Sequence, residues 1–284
     1  MSAGRPFRAG LVQLCAGTDM AANAEAVCAS VREACALGAE FIVTPEMTNV
    51  IEARRDALLG KVAEEATDPV VAALRELAVE KAIHILIGSV ALKSGDKLVN
   101  RSLLVAPDGA IASRYDKIHM FDVDLDGGES YRESRIYRPG DLAVTADLPW
   151  GILGMTVCYD MRFPALYRVL AQAGADVITV PSAFTRQTGA AHWHVLLRAR
   201  AIETGAFVLA AAQGGEHESG RKTYGHSLAV APWGEIVAEI DGEAPGVVVC
   251  DIDPVAVADA RRRIPSLASD RPFRLKTAHA RIAS

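Results

Sequence analysis

Three residues in this 284-residue sequence combine a reactive group with a location where chemistry could be done: a cysteine, a glutamate and a lysine. Cys158 lies in ILGMTVCYDMRFPALYRVL, directly after an apolar run and just before a segment with helix character. A thiol on a tight turn between a strand and a helix is placed to act as a nucleophile. Backbone N–H groups there can face a developing oxyanion, and a helix N-terminus lowers a thiol pKa. Glu46 closes a second apolar run, EFIVTPEM. Phe41, Ile42 and Val43 would bury its approach and Pro45 fixes the backbone before it, which suits a raised pKa and a general base working near neutrality. Lys117 stands in RYDKIHMFD, after a third run. Beside a thiol, its ammonium would stabilise the thiolate and later the oxyanion of a tetrahedral intermediate. Each residue also has an ordinary reading: a free cysteine is commonly a core residue, and a loop glutamate or lysine is commonly solvated. Cys15, Cys28, Cys35 and Cys250 lie inside apolar patterns and read as core thiols.

Histidine is not adjacent to Cys158, so a cysteine–histidine pair finds no support in the sequence. His192 and His194 flank Trp193 in a predicted helix, where a spacing of two puts them on different faces and spoils them as a metal pair. His226, in TYGHSLAVAPWG, reads as a residue that orients its neighbours by hydrogen bonding, and His119 is the histidine nearest a candidate residue in sequence. Gly127-Gly128 and Gly214-Gly215 lack the spacing of a phosphate-binding loop and read as turns. Five irregularly spaced cysteines form neither a disulfide framework nor a zinc ligand pattern. No metal, nucleotide or redox cofactor is expected.

Positioning these residues needs a framework of strands. Valine-, isoleucine- and leucine-rich runs recur at Arg8–Leu14, Glu40–Thr44, Ile83–Leu92, Arg101–Ala106, Ile152–Val157, Asp176–Val180, Phe207–Ala211, His226–Ala231 and Gly246–Ile252. Several are continuously apolar, as strands buried on both faces are. Helical patterns lie between them at Ala21–Leu37, Asp68–Lys81, Pro164–Gly174, Ala190–Thr204 and Pro254–Ile264. The alternation predicts an α/β protein, and turn signals at 93–96 and 107–109 favour mixed sheets over purely parallel ones. No linker or internal repeat divides the chain, so one domain is expected over 1–284, with its core at about 8–265 and an extended tail over 266–284. The net charge of −5 gives no support for nucleic-acid or anionic-membrane binding. No apolar run is long enough to cross a bilayer, and a reducing cytoplasm is the expected compartment.

The three chemical residues, in their order and separation, resemble the nitrilase superfamily of carbon–nitrogen hydrolases. TPEM carries Glu46, YDKIHMFD carries Lys117 and VCYDMRFP carries Cys158, and the likeness runs from about Arg8 to Pro265. The segments FDVDLDGGESYRES, PSAFTRQTGAAHWHVLLRARAIE, AAAQGGEHESGRKTYGHS and APWG most resemble the branch of deaminated glutathione amidases, with ω-amidases as near relatives. The resemblance implies a four-layer αββα sandwich of two mixed β-sheets flanked by helices. It implies a Glu46–Lys117–Cys158 catalytic set, a second glutamate at Glu133 (with Glu129 as the fallback), and an oxyanion site that includes the Tyr159 N–H. It implies hydrolysis of a small amide through a cysteine thioester. Deaminated glutathione or another α-keto acid amide is the expected substrate, and α-ketoglutaramate, a nitrile or an N-carbamoyl compound are the alternatives; a catalytically inactive binding protein on the same fold is the reading outside enzymes. An anionic substrate calls for a further cation, for which Arg186 and Arg162 are candidates, with Phe184 as a wall of the substrate site. The resemblance also implies a homodimer or higher homo-oligomer, with the C-terminal tail at the subunit interface.

Overall fold

Residues 4–125 and 128–276 are described by the structure, a computed structural model. Gly127 and the last part of the expected tail, 277–284, lie outside the described residues. Two six-stranded sheets dominate. The first runs, edge to edge, Gly246–Ile252, Phe7–Gln13, Phe41–Val43, His84–Ser94, Lys97–Val105 and Ile111–Asp116. The second runs Val144–Leu148, Gly151–Met155, Val177–Thr179, Phe207–Ala210, Leu228–Val230 and Ile236–Glu239. Both are mixed, and both follow the same sequence of pairings across the sheet: antiparallel, parallel, parallel, antiparallel, antiparallel. The fold therefore contains a repeat of topology that has no counterpart as a repeat of residues.

The two sheets pack face to face. One buried cluster joins Phe7, Leu11, Phe41 and Leu86 of the first sheet to Leu153, Met155 and Ile178 of the second. The helices Met20–Ala36 and Pro69–Lys81 cover the outer face of the first sheet, where Val27, Val31, Leu74 and Leu77 bury against Val12, Ile42 and Ile85. Leu166 and Leu170 of helix Pro164–Gln172, and Trp193 and Leu197 of helix Arg186–Thr204, cover the second. This is the four-layer αββα order. The central strands Phe41–Val43 and Val177–Thr179 are buried throughout, which is why they are apolar except for Thr179, whose buried hydroxyl donates to the Gly154 carbonyl.

The apolar runs became strands close to the expected bounds. The edge strands Ile111–Asp116 and Val144–Leu148 were not foreseen, because alternately exposed residues give no apolar run, and neither was Ile236–Glu239, a short strand with no buried residue. The helix expected from Ala190 begins one turn earlier, at Arg186. Gly189 falls in that first turn, where a Cβ would lie 2.3 Å from the Tyr224 ring. Gly214-Gly215 is not a simple turn: it pairs with Lys222–Tyr224 as a small two-stranded ribbon. Among the described residues, no helix is long and apolar enough to cross a membrane.

Candidate active site

Glu46, Cys158 and Ala183 each follow a parallel strand at its carboxyl end, where open α/β sheets generally place ligands. Glu46 sits in a turn pinned to the neighbouring strand. The Gly88 N–H donates to Thr44 Oγ1 (3.0 Å), the Ser89 N–H to the Pro45 carbonyl (3.2 Å) and the Met47 N–H to Ser89 Oγ (3.0 Å). That close approach requires glycine at 88, since a Cβ there would come within 1.9 Å of the Thr44 carbonyl oxygen.

Cys158 opens a short 3₁₀ turn, Cys158–Arg162, with φ at 50°, a left-handed conformation that costs a non-glycine residue about 1–2 kcal/mol. Asp160 holds the turn in place. One oxygen of its fully buried carboxylate accepts from the Val157 N–H (2.8 Å) and the Tyr115 hydroxyl (2.6 Å). The other accepts from the His119 N–H (3.1 Å) and lies 2.7 Å from His119 Nδ1. The Cys158 N–H donates to the Pro181 carbonyl (2.9 Å). The N–H of Tyr159, in the first turn of this helix, has no intrahelical acceptor.

Lys117 is the first residue after strand Ile111–Asp116, and its side chain turns inward until the residue is 2 % exposed. Its Nζ lies 2.9 Å from Glu46 Oε1 and 2.8 Å from Glu133 Oε2. Asn100 Nδ2 donates to the same two carboxylates, at 2.9 Å to Glu46 and 3.1 Å to Glu133. The Ala183 N–H donates to Glu46 Oε2 (2.8 Å), and the Phe121 N–H to Glu133 Oε2 (2.6 Å). The Cys158 thiol stands beside Glu46, Lys117 and the Ala183 N–H. Two carboxylates and one ammonium thus share a deeply buried site in which every carboxylate oxygen of Glu46 has a donor. Burial without such partners would be prohibitive.

Burial pushes the Glu46 carboxyl up, but the charges of Lys117 and Arg221 and the hydrogen bonds from Cys158 and Lys117 outweigh it and hold the group below its ordinary value. The expectation of a raised pKa is corrected: a sheet mouth desolvates the carboxylate, and the ammonium inside it acts more strongly. Burial and then the negative charge of Glu46 push the Cys158 thiol up, against the pull of Lys117. The expected lowering by a helix N-terminus is therefore also overturned. Burial works against the Lys117 ammonium, but Glu133 and Glu46 together raise its pKa well above the ordinary value. The resting site holds a carboxylate, an ammonium and a protonated thiol. A base in contact with its proton source and a fixed positive charge nearby form a set suited to attack on a carbonyl.

Glu46, Lys117, Cys158, Glu133, Tyr159 and Phe184 all line one cavity of about 440 Å³, whose apolar walls include Met47, Val50, Phe121 and Tyr137. Glu129 lines it as well, but its carboxylate accepts from the Tyr131 hydroxyl (3.1 Å) and takes no part in the Lys117 cluster. The two candidate arginines are not brought into the cavity. Arg186 forks onto Glu243, because the first turn of its helix directs it toward that loop. Arg162 lies over the Tyr159 and Phe184 rings, with Nη2 3.3 Å from His192 Nδ1, and does not line the cavity. The cations that do line the cavity are Lys117, Arg132 and Arg221.

Sequence reasoning missed Asn100, Asp160 and Arg221. Asn100 had a signal, as a polar residue in the interior of LVNRSLLV, and it is 1 % exposed. Arg221, in a polar loop, had none. His194 and His226, taken singly in the sequence, meet at Glu239, with His194 Nε2 at 2.7 Å and His226 Nδ1 at 3.2 Å from its Oε1. They tie helix Arg186–Thr204 to strand Ile236–Glu239.

The signature of the carbon–nitrogen hydrolase family matches residues 8–262. A deaminated glutathione amidase of Yersinia enterocolitica is 40% identical over 266 residues, covering 92% of each chain. The human omega-amidase NIT2 is 34% identical over 259 residues, covering 91% of this chain and 93% of its own. Among solved structures, the Caenorhabditis elegans NitFhit protein superposes with a TM-score of 0.87 at 32% identity, over 95% of this chain and 66% of that one. Saccharomyces cerevisiae Nit3, described as a member of branch 10 of the nitrilase superfamily, gives 0.83 at 30% identity, over 93% and 96%.

Proposed function

The chain belongs to the carbon–nitrogen hydrolase family, and from that membership we propose that it is an amidase for deaminated glutathione or a related α-keto acid amide, working through Glu46, Lys117 and Cys158. The observation that carries this reading is the convergence of a carboxylate, an ammonium and a thiol from three separate strand ends on one cavity.

The substrate carbonyl carbon is set beside Cys158 Sγ. Glu46 takes the thiol proton as sulfur attacks, and the oxyanion forms against the Lys117 ammonium and the Tyr159 N–H. Glu46 returns the proton to the leaving nitrogen, so that ammonia or an amine departs and a thioester remains. Glu46 then takes a proton from water, whose oxygen attacks the thioester, and the proton passes to the departing sulfur. The balance is amide plus water to acid plus amine. Glu133 keeps Lys117 charged and aimed, and it stays outside the proton transfers. The route calls on no metal, nucleotide or redox group.

Deaminated glutathione and α-ketoglutaramate share an α-ketoglutaryl acyl half and differ in the amine they release. The relatives' names include amidases of both kinds. The deciding experiment compares kcat/KM for the two substrates, following release of cysteinylglycine and of ammonia. A higher value for deaminated glutathione is expected, and failure to hydrolyse either defeats the reading. Cys158→Ala should abolish turnover in a folded protein; wild-type turnover in that variant would remove the cysteine from the mechanism.

The proposal takes residues 1–284 as a single catalytic unit with its core at about 8–265. It includes assembly into a homodimer or higher homo-oligomer, supported by exposed Val195, Ile202, Trp233 and Val237 and by Phe273 and Leu275 of the tail. A reducing cytoplasm is supported by five free cysteines.

A further inference from the structure

Of the three cations lining the cavity, two are already neutralised. Lys117 is held by Glu46 and Glu133, and Arg132 forks onto Asp124 at 2.7 and 2.9 Å. Arg221 differs. Among the described residues its guanidinium has no carboxylate partner, and its side chain makes one hydrogen bond, from Nη2 to the Ala183 carbonyl. Its Nε is buried with no acceptor. The face of the group lies over the Tyr131 ring, 5.5 Å from the centroid. Ser219, two residues earlier on the same loop, also lines the cavity, and its buried hydroxyl has no partner. Buried polar groups in native proteins are ordinarily satisfied, so two orphans side by side in one cavity mark where a polar ligand completes the set.

The loop that carries them is held rigidly. The His217 N–H donates to the Arg221 carbonyl (2.8 Å), and the Gly220 N–H to the His217 carbonyl (2.8 Å), with Gly220 at φ 83°. The buried His217 ring is fixed at both nitrogens, 2.8 Å from the Ala16 carbonyl oxygen and 2.7 Å from Thr223 Oγ1. A charged group held so firmly before the ligand arrives loses little entropy on binding.

We infer that Arg221, with Ser219 beside it, forms the subsite for a carboxylate on the acyl half of the substrate. The spacing fits the α-keto acid reading, on which this inference rests for its choice of substrate. Arg221 touches the Ala183 carbonyl, and the N–H of the same residue touches the thiol and Glu46. Three links of about 3 Å each keep the guanidinium within roughly 9 Å of sulfur. In an α-ketoglutaryl group the carboxylate carbon stands four bonds, about 5 Å extended, from the carbonyl under attack; with about 3 Å from that carbonyl carbon to sulfur and a charge-assisted hydrogen bond of about 2.8 Å at the far end, the group reaches across that distance. The subsite reads the acyl half alone, so it serves both candidate amides equally and leaves the leaving amine to be recognised elsewhere.

The test uses 2-oxoglutarate, the acid that either amide would yield, as a binding probe on the full-length protein, with displacement measured calorimetrically. Arg221→Gln is expected to raise its Kd by about 30-fold or more, and Arg221→Lys, which keeps the charge and loses the fork, by less than tenfold. In turnover, the Gln variant should lose at least ten times more kcat/KM on an α-keto acid amide than on a neutral amide of the same length. A Kd unchanged within threefold, a wild-type protein that does not bind the probe, or equal losses in the Lys and Gln variants would overturn the inference; the last would make Arg221 a strut for Ala183. If 2-oxoglutarate binds through Arg221 but its amide is not hydrolysed, the proposed function falls and the subsite stands.

Discussion

Replacing Glu46 by glutamine keeps the side chain's shape and removes both its charge and one of its acceptor atoms. The carboxylate receives three N–H groups, from Lys117 and Asn100 on one oxygen, each at 2.9 Å, and from Ala183 on the other at 2.8 Å. A carboxamide offers one oxygen. Aimed at Lys117 and Asn100, it leaves its NH₂ facing the Ala183 N–H; reversed, the NH₂ confronts two donors. The first arrangement is the cheaper: it unpairs the Ala183 N–H and sets the new NH₂ against it, at about 1–3 kcal/mol for each buried donor left unpaired. Lys117 keeps Glu133 at 2.8 Å and so keeps its charge. Glu46→Gln should therefore fold, with a melting temperature lowered by several degrees. Its turnover should fall far more, by about 10²–10⁴-fold, since both acylation and deacylation lose their base. That is about 2.7–5.5 kcal/mol of barrier. The thiol should respond in the opposite direction. It loses the negative charge that helped to raise its pKa while Lys117 stays, so it should ionise at lower pH. Steady-state amide hydrolysis reads the first effect. Ultraviolet thiolate absorbance against pH, with Cys158→Ala backgrounds subtracted, reads the second. Turnover within tenfold of the parent, or a thiol that titrates no lower than the parent's, would refute a base that faces the sulfur.

Three further outcomes follow from the same cluster. Lys117→Met leaves two buried carboxylates without their ammonium and should destabilise the fold by about 3–5 kcal/mol besides abolishing turnover; urea midpoints measure it, and a loss under 1 kcal/mol would contradict the ion-pair assignment. The acid limb of kcat/KM should lie below the ordinary glutamate value of about 4.3, because Glu46 is held below it. The sign agrees for stability: a depressed carboxyl contributes fully above its unfolded pKa, and that contribution is lost as pH falls through the folded one. An acid limb above pH 5 would oppose this. Asp160→Ala strands the Val157 and His119 N–H groups and the Tyr115 hydroxyl, so it should cost on the order of 3 kcal/mol, and it should also slow acylation by releasing the Cys158 turn. Unchanged stability and acylation would show that the turn holds itself.

What the sequence determined by itself was the part governed by local patterning. Apolar runs such as Phe41–Val43 and Leu228–Val230 are legible because a strand buried on both faces is drawn from apolar residues. Helices bounded by Pro69, Pro164 and Pro254 are legible because a proline in the first turn is a local signal. Glu46 and Cys158 stood out because each follows such a run closely, whereas Lys117 lies in a polar segment and stood out by its place in the resemblance. The tertiary structure alone decided what these residues are to one another. The sign of the Glu46 shift depends on an ammonium 71 positions away in sequence, so burial by neighbours along the chain predicted the wrong direction. Arg186 and Arg221 are both arginines in polar surroundings; one is consumed by Glu243 and the other faces the cavity with no carboxylate partner among the described residues, a difference set by loop placement. Local sequence encodes which segments must be buried, whereas charge pairing falls off with distance in space and ignores distance along the chain.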